Sequence, residues 1–134
     1  MNSIDLIKQH EGCRLNPYMD TLGVLTVGYG RNLEKPITQA CADRMLQEDM
    51  ATVYADCLKF DWYEGLSEVR QAVIENMMYN LGYPRFSKFK KTINYISEGD
   101  FKSASDEMLD SRWAKQVGNR ANQLSQMMKT NEWI

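Results

Sequence analysis

Residues 11–30 read EGCRLNPYMDTLGVLTVGYG, and the fold depends on how this stretch is divided. Glu11 precedes Gly12, a residue suited to the left-handed position that ends a helix. Asp20–Thr21 sits in a turn-like setting, and a glycine-punctuated strand pair carrying Thr26 follows. The stretch therefore reads as a helix end running into a hairpin. Strand character extends from Pro17 to Gly30: Leu22–Gly23 supply a turn, and Val24 to Tyr29 is rich in β-branched and aromatic residues. Alternation sets Thr26, Gly28 and Gly30 on one face and Leu25, Val27 and Tyr29 on the other. The first face is almost bare, so something can approach the backbone closely, as at a cleft floor. The plainer reading is two glycines marking bulges in a small sheet. Gly28-x-Gly30 is not a dinucleotide motif, because the third glycine is absent and no helix follows directly.

Two carboxylates and a hydroxyl, spread over a helix end and a hairpin, can flank a single bond, the pattern of a glycosidase site. Glu11 in the last helical turn faces the negative end of the helix dipole, which favours a protonated acid. On this stretch alone, a surface glutamate that happens to precede a cap is the competing reading.

Working outward, Ser3 can cap a first helix with Ile4 and Ile7 on one face. Past a short polar connection ending in Pro36, Thr38 caps a long helix to about Leu58, in which Ala42, Met45, Leu46, Met50, Val53 and Cys57 keep helical spacing. Asp61 to Leu66 is a loop. Ser67 caps the most apolar helix, stopped by Gly82 and Tyr83–Pro84; Ala72, Val73, Ile74, Met77, Met78 and Leu81 cover too much of its circumference for a surface helix. Further helices are expected at Ser87–Ser97, at Asp100–Leu109, near Ser111, and from Asn119 to about Lys129. Trp113 and Trp133 are expected to pack on the central helix. The methionines read as core filler, and Lys88, Lys90 and Lys91 as a solvated basic face.

The totals bound the function. The chain has 134 residues, 43% of them hydrophobic and 25% charged, which suits one folding unit or two small lobes sharing a helix. No segment approaches the roughly 20 apolar residues of a membrane span. Met1 to Gly12 lacks the basic-then-apolar pattern of a signal peptide, so a cytoplasmic origin is expected. Cys13, Cys41 and Cys57 form no CxxC pair and read as reduced thiols. His10 is the sole histidine, so neither metal nor cofactor is expected. The net charge of −2 argues against a nucleic-acid binder. Charge is uneven, though: residues 1–66 carry six basic and ten acidic side chains, and residues 67–134 ten and eight.

At these residues the chain resembles the lysozymes (endolysins) of T-even phages and their relatives in glycoside hydrolase family 24. The family shows Glu-Gly, Tyr-x-Asp-Thr-x-Gly and Thr-x-Gly-x-Gly, which stand here as Glu11-Gly12, Tyr18 to Gly23 and Thr26 to Gly30. The gaps between Glu11, Asp20 and Thr26 equal the family's catalytic spacing. Val69-Arg70, Asn76-Met77, Gly82 and Phe89 resemble its helical lobe, as do Ser111-Arg112-Trp113, Asn119-Arg120-Ala121 and Trp133.

The resemblance implies an α+β, mainly helical, lysozyme-like fold over residues 1–134. A small catalytic lobe (about 12–37) and a helical lobe (about 59–134, plus the helix 3–11) would be joined by a helix (about 38–58), with the active-site cleft between them. It implies a muramidase that cuts the β-1,4 bond between N-acetylmuramic acid and N-acetylglucosamine. Glu11 would protonate the leaving oxygen, Asp20 would activate water or stabilise the oxocarbenium, and Thr26 would hold the water. An inverting enzyme of this kind places its carboxyl groups roughly 6.5–9.5 Å apart, against about 5–5.5 Å for a retaining one. Asn32, Tyr79 and Thr92 fall at substrate-binding positions. Arg120 resembles the arginine that reaches back to the glutamate.

There are departures. Arg31 replaces the family histidine, whose acidic partner aligns with Asp49; an ion pair there would no longer titrate near neutrality. The connection from Gly30 to Thr38 is short, and Asn32 and Glu107 stand where the family has leucine and asparagine. The partners implied are peptidoglycan glycan strands and a holin for access, with no nucleic acid and no membrane insertion, and a monomer is expected. Three alternatives stay open: a lytic transglycosylase, a decayed wall-binding relative, and a helical interaction module, the last of which leaves the glycine strand unexplained.

Overall fold

A computed structural model describes all 134 residues. Eight helices and one three-stranded sheet make an α+β, mainly helical, lysozyme-like fold. Two compact units are present, Met1–Asp43 and Arg44–Ile134.

The first unit begins with α1 (Ser3–Glu11). Its cap is Asn2, not Ser3: the Asn2 side chain accepts from the Asp5 N–H, and Asp5 reaches back to the Asn2 N–H. This reciprocal pair satisfies two donors that have no partner inside the helix. Ile4 and Ile7 are exposed, so the capping box, not burial, accounts for the start of the helix. At its end Gly12 adopts φ 67° and ψ 172° and returns its N–H to the Lys8 carbonyl. That is a positive-φ stop, but its ψ is extended where the left-handed helical region was expected.

Strands β1 (Arg14–Met19), β2 (Leu25–Gly28) and β3 (Arg31–Asn32) form an antiparallel sheet in chain order. The strand expected from Pro17 to Gly30 is thus two hairpins. β1 starts three residues earlier and carries Pro17 internally, where the register with β2 slips between Arg14 and Tyr18. A residue without an N–H is tolerated on an edge strand at such an irregularity. Val27 pairs with Arg31 and Gly28, paired with Arg14, ends β2, so Tyr29 and Gly30 make a turn and do not continue the strand.

The second unit holds the core. Helix α2 (Gln39–Cys57) begins in the first unit, where Thr38 Oγ1 accepts the Cys41 N–H, as expected, and continues into the second. Only its C-terminal part is buried, at Val53 and Cys57; Met45 and Leu46 are exposed, against the expected continuous apolar face. Helix α3 (Glu68–Leu81) follows its predicted Ser67 cap and Gly82 stop, and buries Val69, Val73, Ile74, Met77, Met78 and Leu81. Burial of the Cys57 thiol beside α3, with Glu75 nearby, pushes its pKa up to about 12. Cys57 is therefore an inert core residue.

Tyr83–Pro84 does more than stop α3. It opens a one-turn helix, α4 (Tyr83–Phe86), in which Pro84 sits in the first turn, where its missing N–H costs nothing. The helix predicted at Ser87–Ser97 is correspondingly shorter, α5 (Lys90–Ser97). Helices α6 (Phe101–Leu109), α7 (Arg112–Val117) and α8 (Asn119–Thr130) follow. Asp100 and Ser111 cap α6 and α7 as expected. Five of the nine methionines (Met77, Met78, Met108, Met127, Met128) are buried filler. Trp113 is buried and donates from Nε1 to Asn80 on α3 at 2.7 Å, whereas Trp133 is 60% exposed and does not pack as predicted.

Asp100 gives a pH test. The Ser103 side-chain and backbone hydrogen bonds hold its carboxyl below the usual carboxylate value. A depressed folded-state pKa contributes stability above the unfolded-state value and loses it as pH falls through the folded one. Asp100→Asn, which keeps the cap without the charge, is expected to flatten the acid limb of Tm against pH and leave Tm near neutrality almost unchanged. Parallel acid limbs for parent and variant would refute the assignment.

Candidate active site

Glu11 is the last residue of α1, and Gly12 turns the chain away immediately after it. The carboxyl lies on the backbone of Gly30. A Cβ placed at Gly30 would come 2.5 Å from Glu11 Oε2 and 3.0 Å from Glu11 Cδ. Gly30 also has φ 71°. Gly28 shares the positive φ (67°), but a Cβ there would meet nothing within 4 Å. So Gly28 is glycine for its backbone alone, and Gly30 for its backbone and for the space that Glu11 fills. The bare face expected from the sequence is in part the bed of the chain's own carboxyl. One residue before the end of that turn, the Tyr29 ring has Lys8 Nζ 5.5 Å from its centroid.

Asp20 occupies the β1–β2 turn and is half-buried. Its Oδ1 accepts from the N–H groups of Leu22 and Val24, both at 2.8 Å. Its own N–H bonds the Val24 carbonyl and its carbonyl receives the Gly23 N–H. One carboxyl oxygen is thus committed to the turn, while Oδ2 has no hydrogen bond in the protein. An aspartate folded onto its own turn is held rigidly without a distant partner.

Thr26 is at the middle of the sheet, paired with Tyr18 on β1 and Asn32 on β3. It is 3% exposed, and its hydroxyl donates to the Val24 carbonyl at 2.8 Å. The hydroxyl proton is spent there, which leaves its oxygen as an acceptor. Asn32 Oδ1 accepts the Glu34 N–H at 2.8 Å, so its amide NH₂ is the part left for a ligand. Arg31 donates from Nη2 to the Pro36 carbonyl at 2.8 Å, closing the short loop after β3.

In the second unit, Tyr79 is half exposed and lines a cavity of about 480 Å³ with Asp49, Thr52 and Asp56. Thr92 is 2% exposed and borders a larger cavity, about 630 Å³, with Phe89 and Trp113. Lys88, Lys90 and Lys91, read as a plain solvated face, rim this second cavity together with Arg85 and Arg112. Arg120 donates from Nε to Asn76 Oδ1 at 2.8 Å and from Nη2 to the Asn76 carbonyl. Sequence reasoning set Gly30 on the bare face without assigning what lies against it, and left out Lys8. The positional signal for Gly30 was present, a glycine closing Thr-x-Gly-x-Gly, but its occupant depended on a helix end nineteen positions earlier in the chain.

A helix-end carboxyl bedded on a glycine turn, a second carboxyl in a hairpin turn and a sheet threonine stand within an α+β lysozyme-like fold. The sequence profile of the phage lysozymes matches residues 8–130. An endolysin of Acyrthosiphon pisum secondary endosymbiont phage 1 is 30% identical over 95% of this chain and 88% of its own length. A probable T4-type lysozyme 1 of Dictyostelium discoideum is 25% identical, covering 94% and 92%. A SAR-endolysin of Bacteriophage PS119 is 30% identical, covering 82% and 66%. The chain belongs to the phage lysozyme family. It is a lysozyme-type glycoside hydrolase, and as such a peptidoglycan hydrolase. No helix is long and apolar enough to cross a membrane.

Proposed function

We propose that this enzyme hydrolyses the β-1,4 bond between N-acetylmuramic acid and N-acetylglucosamine with inversion, Glu11 acting as general acid. The observation that carries the reading is the bedding of the Glu11 carboxyl on Gly30, the turn that closes the strand bearing Thr26. A glycosidic oxygen leaves poorly unless it is protonated, so the acid must be aimed at it. Asp20, with Oδ2 free, activates water or balances the oxocarbenium charge. Thr26 accepts from that water, its own proton being held by Val24. Asn32, Tyr79 and Thr92 contact sugar, and Arg31, Asp49 and Arg120 support the site. The role extends to host-cell lysis, with release from the host cytoplasm through a holin; lysis at the same time with and without a co-expressed holin would sink that part.

Product analysis separates this reading from a lytic transglycosylase. A hydrolase yields a reducing N-acetylmuramic acid end, first seen by NMR as the inverted α anomer. An anhydro-sugar would establish the transglycosylase, and a β anomer would establish retention. Asp20→Asn is expected to lower kcat about 10²–10⁴-fold while keeping the turn, because asparagine retains an Oδ1 that can accept both N–H groups. Parental kcat in a folded Asp20→Asn would remove Asp20 from the chemistry.

A further inference from the structure

We infer that the β2–β3 turn is the positioning platform of the general acid, with Gly30 as its seat and the Lys8–Tyr29 contact as its clamp. The inference rests on Glu11 being that acid. Two contacts join the last turn of α1 to this two-residue turn, Tyr29–Gly30. Lys8 and Glu11, three apart, lie on one face of the helix. Lys8 Nζ stands over the Tyr29 ring at 5.5 Å, and the Glu11 carboxyl lies over the next residue, Gly30. A glutamate side chain has three rotatable bonds and no hydrogen bond in the protein fixes this one. Steric confinement by the turn below is what limits its positions. The hydrogen on Gly30 leaves room for Oε2; a methyl in its place does not, since 2.5 Å is far inside van der Waals contact. The obstructed atoms are the far end of a flexible chain, so the conflict is relieved by moving the carboxyl. The cost therefore falls on catalysis, and the backbone strain of φ 71° falls on stability.

The test separates those two costs. Gly30→Ala is expected to lose about a hundredfold in kcat, as for a reacting group displaced by about 1 Å, with KM within about threefold. Full-length protein carrying Gly30→D-Ala, made by ligation at the Ala40–Cys41 junction, keeps the positive φ comfortable and projects its methyl from the opposite side of Cα. It is expected to hold most of the parental kcat. If Gly30→Ala does not fold, the clamp supplies the readout. Tyr29→Leu and Lys8→Met are each expected to lower kcat about two- to fivefold, and the double variant no further than either alone. Gly30→Ala with at least a third of parental kcat, D-alanine as damaging as L-alanine, or additive clamp variants would overturn the platform. Glu11→Gln run alongside keeps the two readings apart. An active Glu11→Gln sinks the assignment of the acid, whereas an inactive one beside an active Gly30→Ala sinks the platform alone.

Discussion

Glu11→Gln is expected to lower kcat on peptidoglycan by about 10²–10⁴-fold, the contribution typical of a positioned general acid. Glutamine matches glutamate in shape, so it occupies the same bed on Gly30 and leaves KM close to the parental value. What it lacks is a proton acidic enough to pass to the departing sugar oxygen. Stability should not fall. Glu11 is exposed, and a negative charge at this place in the last turn of α1 opposes the helix dipole. Removing that charge leaves Tm unchanged or slightly raised, the pattern of a residue kept for chemistry at the expense of the fold. Clearing of outer-membrane-permeabilised Gram-negative cells gives the rate, and circular dichroism the fold. A folded Glu11→Gln clearing cells at more than a tenth of the parental rate would move the acid elsewhere.

The largest effect on stability is expected at Phe86. Its side chain is fully buried at the end of the one-turn helix α4. It meets Phe60 edge-on at 5.6 Å between ring centroids and stacks near Phe89 at 6.3 Å. Phe60 stacks in turn on Trp62 at 4.9 Å, and Phe89 meets Trp113 edge-on at 6.1 Å. Phe86 is thus the middle ring of five that run through the second unit. Deleting it removes buried area and orphans two aromatic contacts on opposite sides, neither of which can close the gap alone. Phe86→Ala should cost about 3–5 kcal/mol, on a scale set largely by phage lysozyme cores. At roughly 4 °C per kcal/mol for a chain of this size, Tm would drop about 12–20 °C. Leu15→Ala, at a site 86% exposed, is the control and should stay within about 0.5 kcal/mol. Urea unfolding measures both; a Phe86→Ala cost under about 1.5 kcal/mol would mean that the ring is not packed as described.

Local chemistry made much of this legible beforehand. Ser67, Asp100 and Ser111 are caps because a short oxygen-bearing side chain can meet N–H groups two or three residues on, whatever surrounds it. Gly12 and Gly82 end helices because only glycine takes their positive φ cheaply. The apolar circumference of α3 announced a core helix. Glu11, Asp20 and Thr26 were singled out by spacing and by resemblance, and Asp20 needs only its own turn to be held.

Where the sequence reading failed, the deciding partner was remote or the competition close. Asn2 and Ser3 both cap well; Asn2 prevailed because Asp5, at the third helical position, returns its bond. Pro84 both ends and begins helices, and burial of Phe86 decided that a new turn starts there. Trp113 and Trp133 look alike in sequence, yet only the first has Asn80 within reach of its indole N–H. Lys88, Lys90 and Lys91 are exposed, as expected of a solvated face, and what the sequence did not show is the cavity they rim with Arg85 and Arg112. The sequence by itself determined the caps at Ser67, Asp100 and Ser111, the helix stops at Gly12 and Gly82 and the β1–β2 turn, because those depend on neighbours within about four residues. Only the tertiary structure decided what Gly30 is for. The space a missing side chain leaves has no owner until folding brings another residue to it, and here that residue is Glu11.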